Sequence, residues 1–211
     1  YKAIVSPAGR RVLESSAEKG LVGIAFHDNN KRSFYGKKAY RSPDDLKGQK
    51  IRIMPSPIAS RMIELMGGSP VVIPFGEIYT ALQQGTVDAE GNTFSLLNDA
   101  KHTEVLKHAM DSQHNYSMHV LLMNKKKWDS LTPEQQKIIA EAAHEALVWQ
   151  RAETVKLEKQ AWQAFRDKGI TIHMLTPEQR EELKKKTAPV REKFAKEIPA
   201  ELLELIAATQ K

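Results

Sequence analysis

The sequence predicts an α/β fold, and three observations predict it. Short apolar runs of strand length alternate with amphipathic runs of helix length, glycines close most of the helical runs, and one long stretch in the C-terminal third contains no helix breaker. At 211 residues the chain suits one large domain or two small lobes. A hydrophobic content of 41% with 27% charged residues is that of a chain with a core, which excludes disorder and collagen-like or low-complexity sequence.

The elements follow in order. Lys2–Val5 reads as the end of a strand that Tyr1 enters part-way, and Ser6-Pro7 then caps a helix that Gly20 stops. Leu21–Phe26 is an apolar strand, Asp28–Lys31 a turn, and Arg32–Tyr35 a second extended segment. Ser42–Asp45 opens a short helical turn ending at Gly48, and Lys50–Met54 is a strand. Helix Ile58–Met66, begun by Pro57 and closed by Gly67-Gly68, leads to strand Val71–Ile73. Helix Gly76–Gln84, strand Thr86–Ala89, a helical region from Phe94 to Leu106 and two extended segments near Ala109–Ser112 and Tyr116–Met123 complete the alternation.

Thr132-Pro133-Glu134-Gln135 is a capping box with proline in the first turn. The helix it starts runs roughly 36 residues to Lys168, or about 54 Å, longer than a small lobe is wide, so it is expected to bridge two lobes. Strand Ile170–Met174, a second cap at Thr176–Gln179 and a helical tail broken by Pro189 and Pro199 finish the chain.

The 32 Lys and Arg against 26 Asp and Glu give a formal charge of +6. The densest clusters, Lys125–Lys127 and Lys184–Lys186, lie beside acidic residues, as on solvated helix faces, and no interleaving of basic and aromatic residues suggests a nucleic-acid partner. No apolar run nears the ~20 residues that span a bilayer, and Tyr1–Arg11 has no signal-peptide pattern. With no cysteine there is no disulfide or thiolate metal site. Phosphate-cradling, dinucleotide-binding and common hydrolase motifs are absent, and the His114/His119 and His102/His108 spacings do not set two imidazoles on one helix face, so no metal or cofactor is expected. His144 reads as an ordinary helix histidine.

Arg52 stands out within Lys50–Met54, a guanidinium in an otherwise apolar strand. Alternation sends Ile51 and Ile53 to one face and Arg52 to the other. Spacing leaves two roles open for it, a salt bridge to a nearby Asp or Glu, or a planar fork presented to the carboxylate of a ligand.

The run Asp44–Met54, followed by Gly67–Asp88 with its Pro-Val-Val-Ile-Pro-Phe-Gly-Glu-Ile-Tyr-Thr-Ala-Leu-Gln-Gln-Gly-Thr-Val-Asp stretch, resembles the solute-binding proteins of TRAP (tripartite ATP-independent periplasmic) transporters, of the DctP-like family, as does Trp128–Thr132 at the head of the long helix. The resemblance implies a two-lobed periplasmic-binding-protein-like α/β fold with the first lobe incomplete, lacking roughly the N-terminal third. Residues 1–29 and 118–157 would be the remnant of lobe one with the bridging helix, and 30–117 and 158–211 lobe two. It implies a periplasmic protein, made with a signal peptide, that captures a small organic acid between its lobes and delivers it to TRAP permease subunits as a monomer, without catalysis. In the family pattern Arg52 pairs with the acid's carboxylate, Asn92 supports it, Arg32 is a second arginine, Phe75 packs on the ligand, and His114 falls where some members carry a cleft histidine. The usual glutamate before Asn92 is Gly91 here. The alternative is an α/β enzyme acting on a small carboxylate with His114 or Glu77 as base.

Overall fold

The computed structural model describes residues 2–209. Its elements in chain order are α1 (Pro7–Ser15), β1 (Leu21–Gly36), β2 (Lys50–Ile53), α2 (Pro57–Leu65), β3 (Ser69–Val72), α3 (Ile78–Gln84), β4 (Ala89–Asn92), α4 (Phe94–Asp99), β5 (His108–Asn124), α5 (Lys125–Asp129), α6 (Pro133–Asp167), β6 (Thr171–Met174), α7 (Pro177–Ala195) and α8 (Ala200–Ala208). Strand order is β3-β2-β4-β1-β5-β6. Pairing is parallel for β2 with β3, β2 with β4 and β5 with β6, and antiparallel for β1 with β4, so the α/β class holds with a mixed sheet.

The chain divides into two units, Tyr1–Asn29, Ser117–Val155 and Ala195–Lys211 in one, Asn30–Tyr116 and Lys156–Phe194 in the other. In the second unit both sheet faces are covered. One layer gathers Tyr35, Ile78, Leu82, Phe94, Leu97 and Phe165, and the other Phe34, Leu46, Ile51, Ile53, Ile63 and Met110. Adjacent residues Phe34 and Tyr35 enter opposite layers because strand side chains alternate, and burial of each such side chain contributes roughly 1.5–3 kcal/mol. In the first unit α8 packs on α1, with Arg11 Nε 4.0 Å from Glu201 Oε2. There the buried Asp28 carboxylate meets Arg151 Nη1 at 2.7 Å, and its backbone is bracketed by the Gln150 amide at 3.0 and 2.6 Å. The tail from Ala195 therefore groups with residues 1–29, whereas the sequence reading assigned 158–211 to lobe two; the helix break at Pro199 lets α8 leave the α7 line.

Several element readings change. Lys2–Val5 forms turns rather than a strand, tied down by Ser6 Oγ donating to Ala3 O at 2.7 Å; Tyr1, Gln210 and Lys211 lie outside the described residues. β1 and β5 are each continuous where two segments were expected. Each passes through one left-handed residue, Asn30 (φ 61) and Gln113 (φ 46), which bends a strand without ending it and makes Asp28–Lys31 read as a turn. The strand expected at Thr86–Ala89 starts at Ala89, because the Thr86 and Val87 amides still donate to Ala81 O behind left-handed Gly85. Pro189 sits inside α7 without ending it; Arg191 Nη2 donates to Lys184 O at 3.5 Å beside the site of the lost backbone bond.

Candidate functional site

Arg52 lies in β2, opposite Val71 on one side and Glu90 on the other. Its neighbours Ile51 and Ile53 go to the core layer and hold the strand, so the guanidinium is confined on the reverse face, 6% exposed. Nε donates to Ile73 O at 2.9 Å, a bond that fixes the fork. Among the described residues no carboxylate lies within ion-pair distance of it. Burial lowers its pKa, and the field of Glu90 partly offsets that.

Arg32, in β1, donates through Nη2 to Gly91 O, the residue that faces Phe34 across the β1–β4 pair. Its pKa is also lowered, first by burial and then by Arg52, while Glu90 acts the other way. The two guanidiniums thus sense each other, and each is held by a main-chain carbonyl rather than a carboxylate.

His114 completes the group. Its ring stacks on Phe34 at 3.9 Å between centroids with 15° between planes, and Nδ1 meets Ser112 Oγ at 2.8 Å. Burial, then Arg32, pushes its pKa down to about 3, so the imidazole is neutral at pH 7. Arg32, Arg52, His114 and Gly91 line one pocket of about 90 Å³, walled by Ile53, Met54 and the apolar side of α2. The first turn of α2, capped by Ser56, also borders it and adds the partial positive charge of a helix start. Among the described residues no acidic side chain lines it.

Asn92 and Phe75 are not among the residues lining this pocket. Asn92 is buried opposite Ser33, its Oδ1 accepting from the Thr93 amide at 3.1 Å. Phe75 is 44% exposed, its ring 5.7 Å from that of His102. Glu77, considered as a base, is exposed outside the pocket.

Sequence reasoning missed a buried pair: Glu90 Oε1 lies 2.5 Å from His102 Nδ1, with Glu90 0% and His102 3% exposed, and Glu90 Oε2 has no partner. Twelve residues of separation carry no local signal for it. Also unforeseen is Glu158 of α6, whose carboxylate accepts from the Phe94 and Ser95 amides at 3.3 and 3.2 Å and so anchors the backbone just after Asn92. Among the described residues no group of three or more His, Cys, Asp or Glu is placed to hold a metal ion, and no helix is long and apolar enough to cross a membrane.

Residues 2–197 match the profile of the family described as bacterial extracellular solute-binding protein, family 7. The C4-dicarboxylate-binding periplasmic protein DctP of Rhodobacter capsulatus is 32% identical over 209 residues, 99% of this chain and 63% of its own length. A TRAP periplasmic solute-binding protein of Desulfovibrio salexigens, solved with bound orotic acid, superposes with a TM-score of 0.92 at 28% identity, covering 99% of this chain and 68% of its own. One from Bradyrhizobium, in complex with α/β-D-galacturonate, gives 0.91 at 32% identity, covering 99% and 68%. The chain thus spans a little under two thirds of the length of that curated relative.

Proposed function

Since the chain belongs to the family 7 bacterial extracellular solute-binding proteins, we propose that it captures a small organic acid in the periplasm and delivers it, as a monomer, to the membrane permease subunits of a TRAP transporter. The observation that carries this reading is the pair Arg32 and Arg52, two largely desolvated guanidiniums on one pocket with no carboxylate partner among the described residues. A buried cation of that kind is stabilised by an anion that brings its own oxygens. Arg52, fixed through Nε, presents its Nη edge to a carboxylate in the two-bond geometry that Lys does not offer. Neutral His114, which lines the pocket, contacts the body of the acid, while Asn92 and Phe75, assigned to the ligand by the family resemblance, lie outside its lining. Residues 30–116 with 156–194 form the acid-binding unit. No bond of the ligand is made or broken.

The relatives named above carry dicarboxylate, orotate and galacturonate, and what those ligands share is a carboxylate. Thermal denaturation of the full-length protein against a panel of organic acids tests the proposal. A melting temperature that rises with one or more acids, and not with DNA, is the expected outcome. No rise with any acid, or turnover of a bound one, would remove it.

A further inference from the structure

We propose that His102 is a positioning residue for the acid site: by holding the Glu90 carboxylate it keeps Glu90 from pairing with Arg52, so that the guanidinium stays open to the ligand. The inference rests on the acid-binding reading above and concerns the protein's own competitor for that arginine. Arg52 and Glu90 are in register on the parallel β2–β4 pair, so their side chains leave the sheet on one face. Neighbouring strands lie about 4.8 Å apart, well within the span of a Glu–Arg ion pair, and opposite charges so placed ordinarily meet. Here they do not. Among the described residues Arg52 has no carboxylate within ion-pair distance, and its Nε donates to Ile73 O at 2.9 Å. Glu90 is fully buried, with Oε1 2.5 Å from His102 Nδ1 and Oε2 without a partner. A carboxylate has only acceptors, so Nδ1–H is the donor.

The imidazole is fixed in a way that stops it from following Glu90 toward Arg52. His102 is buried, with the rings of Phe75 and Tyr79 at 5.7 and 6.4 Å between centroids. Both rings come from the segment after Ile73, whose carbonyl holds Arg52 Nε. The next two residues are tied as well: Thr103 Oγ1 accepts from Lys168 Nζ at 2.9 Å, and Glu104 Oε2 accepts from Tyr79 Oη at 2.9 Å. Glu90 still acts on Arg52 and Arg32 through space, its field opposing the fall in their pKa that burial causes. A direct pair would do more, because it would occupy the fork that a ligand's carboxylate needs. Removing the donor of a buried pair leaves an uncompensated charge, and Arg52 is the cation in register with it.

Calorimetric titration of the full-length protein tests this, with whichever of succinate, orotate and galacturonate the parent binds most tightly as the probe. His102→Phe keeps the bulk of the ring and removes the donor, and is expected to bind the probe about tenfold or more weakly as Glu90 turns to Arg52. Adding Glu90→Gln to His102→Phe removes the competing charge and restores affinity to within about threefold of the parent. Glu90→Gln alone binds at least as tightly as the parent. Undiminished binding by His102→Phe overturns the proposal and leaves carboxylate capture standing. So does a His102→Phe defect that Glu90→Gln fails to repair, which would make His102 a packing residue only. Should His102→Phe not fold, Glu90→Gln decides: parental or tighter binding upholds the proposal, and weaker binding overturns it, since Glu90 would then support Arg52 rather than compete for it. If the parent binds none of the three acids, carboxylate capture fails for them, and this proposal with it.

Discussion

Replacing Arg180 by alanine strands a buried carboxylate. Asp111, 2% exposed in β5, accepts from Arg180 Nη2 at 2.9 Å, Gln113 Nε2 at 2.9 Å and Ser33 Oγ at 3.3 Å, and without the arginine only the two neutral donors remain. Breaking a fully buried pair costs about 3–5 kcal/mol. Arg180 has a side chain 27% exposed, which water already screens in part, so the lower end, about 3 kcal/mol, applies. For a chain of this size that is a fall in Tm of roughly 6–12 °C. Asp111→Asn removes the charge and keeps an acceptor, and costs about 1.5 kcal/mol. The order of the two variants, read by thermal and urea denaturation of the full-length protein, is the diagnostic. Arg180→Ala indistinguishable from the parent, or milder than Asp111→Asn, refutes the assignment of Asp111 as a buried anion dependent on one partner. Arg180 Nη1 also donates to Ser112 O at 3.2 Å, and Ser112 Oγ holds His114, so the same variant should broaden the His114 ring resonances in an NMR spectrum.

Three further outcomes are expected. His114 has its folded pKa depressed to about 3 by burial and Arg32, so between its ordinary value near 6.5 and about 3 the unfolded chain binds the proton and the folded one does not. Its contribution to stability is complete above pH 6.5 and is lost as pH falls, and its ring shifts should stay flat down to pH 5; a midpoint near 6.5 contradicts the packing against Phe34. Glu158 has the opposite sign: burial raises its pKa, so the folded state holds the proton longer and stability decreases as pH rises through the window from its ordinary value to the raised one. Glu158→Gln should remove that decrease, measured as the pH dependence of the denaturation midpoint, and an unchanged dependence refutes it. Phe165, fully buried edge-on to Tyr35 and Phe94, should cost about 3–5 kcal/mol as Phe165→Ala in urea denaturation, and a cost under about 1 kcal/mol would show that this layer can collapse around the gap.

What was legible in the sequence was legible locally. Ser6, Thr132 and Thr176 each cap the helix they were expected to cap, because the capping oxygen and the amide it accepts from are two or three residues apart. Arg52 was legible because a charge between two isoleucines breaks the strand pattern. The length of β1 and β5 was not, since Asn30 and Gln113 bend those strands through a conformation that otherwise marks turns, and whether the strand goes on depends on its partner. Nor was the start of β4, which the close of α3 against Ala81 O delays to Ala89. That shift brings Glu90, Gly91 and Asn92 into the strand, where alternation sets Gly91 on the face opposite Glu90 and Asn92. The Glu90–His102 and Glu158 contacts depend on chain segments brought together by the core, and no spacing rule reports them.

In the proposed function Arg52 holds the carboxylate of a ligand through a fixed two-bond fork, and titration of Arg52→Lys beside Arg52→Ala separates that fork from charge alone. The alanine variant is expected to lose on the order of 3 kcal/mol of binding, about a hundredfold in Kd. The lysine variant, which keeps the charge and loses the fork, should recover little of it. Affinity unchanged in Arg52→Ala, or fully restored by lysine, removes the two-bond fork of Arg52 from ligand binding.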